Sequence, residues 1–160
     1  MKFVSNSSPL IFLAKLDILT FLERDTIVVP TLVREELLAK ESVEKDLLAH
    51  FFQNQNVLFE RAPQRRILSA ALGMGETETI LIALAKKISH VLIDDRRARS
   101  LARLNDLKPK GTLWVILRAL REEKINQREA KAFVYDLPKV GFRIDETLWM
   151  EVLRRMDGYK

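Results

Sequence analysis

The chain contains no cysteine. Disulfides, thiolate metal sites and cysteine nucleophiles are therefore excluded, and the composition suits a cytoplasmic protein. It also lacks any run of about 18 uncharged apolar residues, the length needed to cross a bilayer, so no membrane span is expected. Lys2 precedes an apolar stretch, but Pro9 and Lys15 interrupt it and no small-residue cleavage site follows, so no signal peptide is expected. No internal repeat, low-complexity tract or linker is visible. Histidine is scarce. The two present, His50 and His90, have no ligand spacing and no nearby partner in sequence, and read as structural or exposed.

What is present describes a folded domain. The 160 residues are 48% hydrophobic, enough for one domain with a sizeable core. Lys and Arg number 27 against 22 for Asp and Glu, a formal net charge of +5. A surplus of that size permits contact with nucleic acid or another acidic partner.

The pattern alternates between strand and helix. Residues 2 to 5, "TIVVP", "NVLFE" and "HVLIDD" read as strands, and "LKPKGT" holds a short one. Helices are expected around Pro9 with Ser7 or Ser8 as N-cap, from about Asp17 to Glu23, from Pro30, from about Val43 to Gln53, and over 64 to 72. A helix starting near Glu76 is apolar nearly all round and reads as a central, buried one. "RRARSLARLN" is amphipathic with a basic face. Thr112 is expected to cap "LWVILRALREE", and two helices follow at about 127 to 137 and 145 to 157. This alternation indicates a three-layer α/β/α fold with a mostly parallel sheet, its core in residues 1–120 and a helical extension over 121–160.

Functional groups in such sheets gather at the carboxyl ends of the strands. That rule selects Asn6, in "FVSNSSPLIFLA", and the pair Asp94-Asp95. Asp94 and Asp95 also suit an N-cap and a first-turn acid for the helix after them. Glu36 falls on the apolar side of its helix with Leu32, Val33 and Leu37, while Glu35 is rotated away by about 100°. Glu76 and Glu78 start the apolar helix and face opposite ways. Glu78 shares its face with Leu81, Ile82 and Ala85, and Glu76 shares its own with Thr79, Ile80 and Ala83. A carboxylate entering an apolar face needs a partner. Acids at a strand end, a helix start and a third helix suit Mg²⁺ or Mn²⁺, the chemistry of phosphodiester hydrolysis.

Five stretches in order, "VSNSSPLIFLAKL", "VVPTLVREEL", "GMGETETILIALA", "VLIDDRRAR" and "GTLWVILRA", make the sequence resemble the PIN-domain family, in the branch of predicted nucleic-acid-binding proteins related to VapC-type toxins. The resemblance implies a PIN-like fold, a metal-dependent ribonuclease using Mg²⁺ or Mn²⁺, RNA as substrate, a small antitoxin as partner, and a homodimer. Carried over by position, the four family acids fall on Asn6, on Glu36 (with Pro30 and Val33), on Glu78 with Glu76 as the alternative, and on Asp95 or Asp94. The catalytic set it implies is Asn6, Glu36, Glu78 and Asp95, with Asp94 as a further metal ligand. Ser8 matches a small hydroxyl residue near the first acid.

Asn6 departs from the pattern, because PIN nucleases normally carry Asp there. An amide oxygen still coordinates a hard cation or holds its water, but it brings no charge. The alternative is a catalytically impaired module that binds RNA or a protein without cutting. Arg96, Arg99 and Arg103 form a stripe that reads either as a solvated face or as a phosphate contact. Arg61, Arg65 and Arg66 extend it, and Thr112 after Gly111 reads either as an N-cap or as part of a phosphate-binding helix start. The stripe of Leu148, Val152 and Met156 reads as core or as a docking face.

Overall fold

The computed structural model describes residues 1–63 and 70–158. It contains one sheet of five strands: β1 (Lys2–Ser5), β2 (Thr26–Pro30), β3 (Val57–Glu60), β4 (His90–Leu92) and β5 (Lys108–Lys110). The order across the sheet is β3-β2-β1-β4-β5, and every neighbouring pair is parallel. The chain therefore builds outward from β1 through β2 to β3, then returns to add β4 and β5 on the other side. The reversal falls between β1 and β4. In open parallel sheets that is the crevice where ligands bind.

Strand alternation divides the core in two. Phe3, Ile27, Val29, Val57 and Leu92 enter one apolar cluster, with α1 (Ser7–Lys15), α2 (Thr31–Ala39), α3 (Lys45–Phe51) and α6 (Thr112–Arg121). Val4, Val28 and Val91 enter the other, with α4 (Met74–Lys86) and α5 (Arg96–Leu104). Burial on both faces explains why these strands are β-branched runs with little polar alternation. The C-terminal helices α7 (Gln127–Asp136) and α8 (Glu146–Asp157) join the first cluster through Val134, Leu137, Val152 and Met156. The stripe on α8 is thus core at Val152 and Met156. Among the described residues no helix is long and apolar enough to cross a membrane.

The three-layer α/β/α fold is as expected, with a sheet that is wholly parallel. Several local expectations change. α4 is an outer-layer helix: Thr79, Ile80, Ile82 and Ala83 are buried, but Leu84, Ala85 and Lys86 are exposed. Only one stripe of a helix lying on a sheet can reach the core. The segment from Asp17 to Glu23 forms only a short 3-10 turn, Leu19–Leu22. Asn6 rather than Ser7 or Ser8 holds the N-cap position of α1, and Gly111 rather than Thr112 holds that of α6. Of the helix expected over 64–72, residues 64–69 lie outside the described residues and 70–72 form a turn.

A buried ion pair closes the opposite end of the sheet. Both Nη atoms of Arg118, on α6, donate to Asp25, just before β2, at 3.0 and 2.5 Å. Both side chains are 5% exposed. Arg118 also donates to the Phe21 carbonyl at 2.9 Å, and its guanidinium lies 5.0 Å from the Trp114 ring centroid. Burial works to raise the Asp25 carboxyl, but hydrogen bonds from Arg118 and the Met1 amino group carry it below its ordinary value near 3.8.

Replacing Arg118 with Met should cost about 3–5 kcal/mol in urea unfolding, because it leaves a buried carboxylate without its partner. The depressed acid binds fewer protons folded than unfolded below its ordinary value. Its contribution is therefore complete above pH 3.8 and declines as pH falls through the lowered folded value. Unfolding midpoints of Asp25→Asn across pH 2–5 should accordingly show a flatter acid limb.

Candidate functional site

The reversal between β1 and β4 places two side chains at its rim. Asn6 follows β1, and its backbone N–H extends the ladder to the Leu92 carbonyl at 3.0 Å. Asp94 lies two residues past β4. The helices α1, α4, α5 and α6 all begin at this edge.

Asn6 stands where an N-cap stands, with extended backbone at φ −77° and ψ 173°, yet its side chain makes no cap hydrogen bond. It turns toward α4, where Nδ2 donates to Glu76 Oε1 at 3.3 Å. Its Oδ1 is buried and has no hydrogen-bond partner among the described residues. The whole residue is 3% exposed. Orphaned acceptors of that kind are uncommon in folded proteins, since water or a protein donor normally fills them. The motif "GMGE" makes room for the pair. A Cβ on Gly75 would lie 2.7 Å from Asn6 Oδ1, and one on Gly73 would lie 2.5 Å from Glu76 Oε2.

Asp94 is the most heavily bonded acid at the rim. Its Oδ1 accepts from the Thr112 N–H at 2.7 Å, and its Oδ2 accepts from Thr112 Oγ1 at 2.7 Å and Ser8 Oγ at 3.1 Å. It thereby caps α6 from a different strand, because the cap residue Gly111 has no side chain to do so. A Cβ on Gly111 would lie 2.7 Å from Asp94 Oδ1. Burial pushes the Asp94 carboxyl up, against the bonds from Thr112 and Ser8 and the charge of Arg99. Asp95 caps its own helix: its Oδ1 accepts from the Ala98 N–H at 2.8 Å, and the side chain is exposed.

The remaining candidates sit further out. Glu36 is exposed and lines a cleft of about 450 Å³ that also contains Ser7, Ser8 and Lys40. Glu78 is half-buried and makes no hydrogen bond or ion pair among the described residues. Glu76, its alternative, is the acid that meets Asn6, because its stripe of Thr79, Ile80 and Ala83 faces the sheet. Arg96 and Arg103 are exposed, while Arg99 donates to the Ile93 carbonyl at 3.0 Å. Arg61 is exposed, and Arg65 and Arg66 lie outside the described residues.

Asn6 and Glu76 thus meet on one side of the reversal, and Ser8, Asp94 and Thr112 on the other. No group of three His, Cys, Asp or Glu side chains close enough to hold a metal ion occurs among the described residues. Sequence reasoning missed the foreign cap on α6. The available signal was a glycine at the cap position, which obliges another residue to accept the free N–H groups.

The Asp94 bonds yield a direct prediction. Thr112→Val removes one donor from a buried carboxylate and should destabilise the fold by about 1–3 kcal/mol. Thr112→Ser, which keeps the hydroxyl, should lie close to the native protein in the same thermal melts.

The comparisons with known proteins agree with this architecture. Residues 2–158 match the family model DUF3368, described as a PIN domain. Neither the curated proteins nor the solved structures contain a match. The five-stranded parallel sheet and a family match over nearly the whole chain lead to one conclusion: the chain belongs to the PIN-domain family.

Proposed function

We propose that this protein is a metal-dependent ribonuclease of the PIN class, acting in the cytoplasm as the toxin of a toxin–antitoxin pair. The observation that carries the reading is the buried Oδ1 of Asn6, unpartnered among the described residues, beside the Glu76 carboxylate at the reversal of the sheet. Such an acceptor lacks the partner that a cation or a water would supply.

The donor set fits a hard divalent ion, Mg²⁺ or Mn²⁺. All candidate ligands are oxygens: Asn6 Oδ1, the Glu76 and Asp94 carboxylates, and the outer acids Glu36, Glu78 and Asp95. When bound, such an ion activates water and neutralises phosphate charge. The protein's own part is positioning. Glu76 holds the Asn6 amide in place through its hydrogen bond, Gly75 leaves the Oδ1 position clear, and Ser8 and Thr112 fix the Asp94 carboxylate. Arg96 and Arg99 would bear on substrate phosphates, and a small antitoxin and a second copy of the chain would be the protein partners.

A second reading has its own support. Asn6 is neutral, and all three donors near Asp94 are already spent on holding α6 and α1. A chain so built would bind RNA or a protein partner without cutting.

Cleavage of a labelled RNA with Mn²⁺ separates the two. On the first reading the native protein cuts, chelator abolishes cutting, and Glu76→Gln, Glu36→Gln, Glu78→Ala and Asp95→Ala rank the acids by their loss. An inert native protein that gains activity only as Asn6→Asp supports the second.

Asn6→Asp also has a readout that needs no catalysis. The new carboxylate would be buried about 3 Å from Glu76, so without metal the melting temperature should fall. Adding one unit charge near a divalent ion strengthens binding by roughly 2–4 kcal/mol at an intermediate dielectric. Mn²⁺ should therefore raise the melting temperature of Asn6→Asp far more than that of the native protein. Equal responses in the two proteins would place the ion away from residue 6.

A further inference from the structure

A recess runs beside the edge strand β5. It is a groove of about 640 Å³ that begins at Asp94 and Gly111 and passes between β5, α6 and α8. Its floor is apolar, with Trp114, Leu117, Phe142 and Val152. Its rim is basic. Five cations line it, Arg99, Arg103, Lys108, Lys110 and Arg155, against two carboxylates, Asp94 and Glu151. Glu151 is already paired with Arg155 at 2.5 Å. Arg103, Lys108 and Lys110 have no ion-pair partner among the described residues.

We infer that this groove is a track for single-stranded RNA, whose phosphates lie along the basic rim while its bases turn to the apolar floor. The inference rests on the ribonuclease reading only for the choice of RNA, and it assigns the surface along which the strand approaches the site.

The arrangement of charge favours a polymer. Arg99 and Arg103 are one helical turn apart, about 6 Å along α5. Lys108 and Lys110 are two residues apart on one face of β5, about 6.6 Å. These two rows flank the sheet edge at nearly the same repeat, which suits successive phosphates of an extended strand. Burial and the positive neighbours Arg99, Arg121 and Lys108 push the Lys110 ammonium below its ordinary value, a sign that local cations outnumber their counter-charges.

A protein strand is a poor occupant of the same edge. The Lys108 N–H donates to the Ser89 carbonyl and the Lys110 carbonyl accepts from the Ile93 N–H, so both residues face β4. Alternation turns the peptide groups of Pro109 outward, and proline has no N–H to offer a new strand. A duplex suits the recess less well than a single strand does. The groove is a recess beside an edge strand, and paired bases would not reach its floor, whereas splayed bases of a single strand can. At its upper end the groove opens on Asp94, so a strand held in it arrives at the candidate site.

The test measures anisotropy of a short fluorescein-labelled uridine oligonucleotide with the full chain, in chelator so that nothing is cut, over a range of salt. Arg103 and Lys108 are exposed and hold no side-chain hydrogen bond, so Arg103→Ala/Lys108→Ala should fold normally. That variant should lose roughly tenfold in affinity, and its salt slope should flatten by about 1.4, at about 0.7 per phosphate contact. Lys110→Gln should flatten it further, and Arg128→Ala, on α7, should leave it unchanged. An unchanged slope in the double variant overturns the inference. So does equal binding of a duplex of the same length, or displacement by polyglutamate at equal charge concentration, which would mark the groove as a site for an acidic protein segment. Binding that depends on the groove, with no cleavage on adding Mn²⁺, defeats the ribonuclease reading alone. Cleavage that survives with unchanged binding in the double variant defeats the groove alone.

Discussion

The Asp94 carboxylate is the constraint on which the carboxyl edge of this sheet depends. It accepts from the start of α6 and from the start of α1, so one buried group ties β4 to two helices on the far side of the sheet. Gly111 follows from it, because any side chain there would strike the carboxylate. The Asp25–Arg118 pair does the corresponding work at the amino edge. α6 has ten residues and is about 15 Å long, close to the height of a strand of four or five residues. It therefore spans the sheet from edge to edge and is fastened to a carboxylate near each end. The groove beside β5 inherits one wall from this helix.

The same edge gathers the amino ends of α1, α4, α5 and α6, and each favours nearby negative charge. That alone accounts for Asp94, Asp95 and Glu76. Two of them cap helices outright, and Glu76 lies in a first turn. An acidic cluster at such an edge is therefore weak evidence for chemistry. Asn6 resists this explanation. It holds a cap position without capping, and it buries an acceptor with no donor among the described residues, at a cost of about 1–3 kcal/mol. A fold with no use for that oxygen has simpler residues available.

Much of the fold was legible because local and long-range signals agree. "TIVVP" and "HVLID" are apolar on both faces because both faces are covered, and the alternation of strand with helix leaves a parallel sheet as the simplest closure. The pole of the sheet that carries Asn6 and Asp94 follows from topology alone. What was illegible depends on contacts distant in sequence. Whether Glu76 or Glu78 faces the sheet depends on how α4 lies on β1 and β2, and a helix apolar nearly all round does not reveal that. The partnership of Asp25 with Arg118 spans 93 residues and carries no local mark. Lys108 and Lys110 look like ordinary surface lysines until β5 proves to be an edge strand beside α6 and α8.

The positions of the charges also bear on why a neutral residue could persist at position 6. The rim of the groove carries five cations against two carboxylates, and Asp94 stands at its upper end beside the reversal. A phosphate chain held along that rim is attracted by the groove and repelled by the carboxylates where it ends. A carboxylate at position 6 would strengthen the hold on a cation, yet without the cation it would add to the repulsion beside Glu76. An amide keeps an oxygen at the site and removes that repulsion. On the proposed reading, Asn6 thus trades metal affinity for tolerance of a polyanion in the metal-free state, and the two quantities should move in opposite directions when its charge is changed.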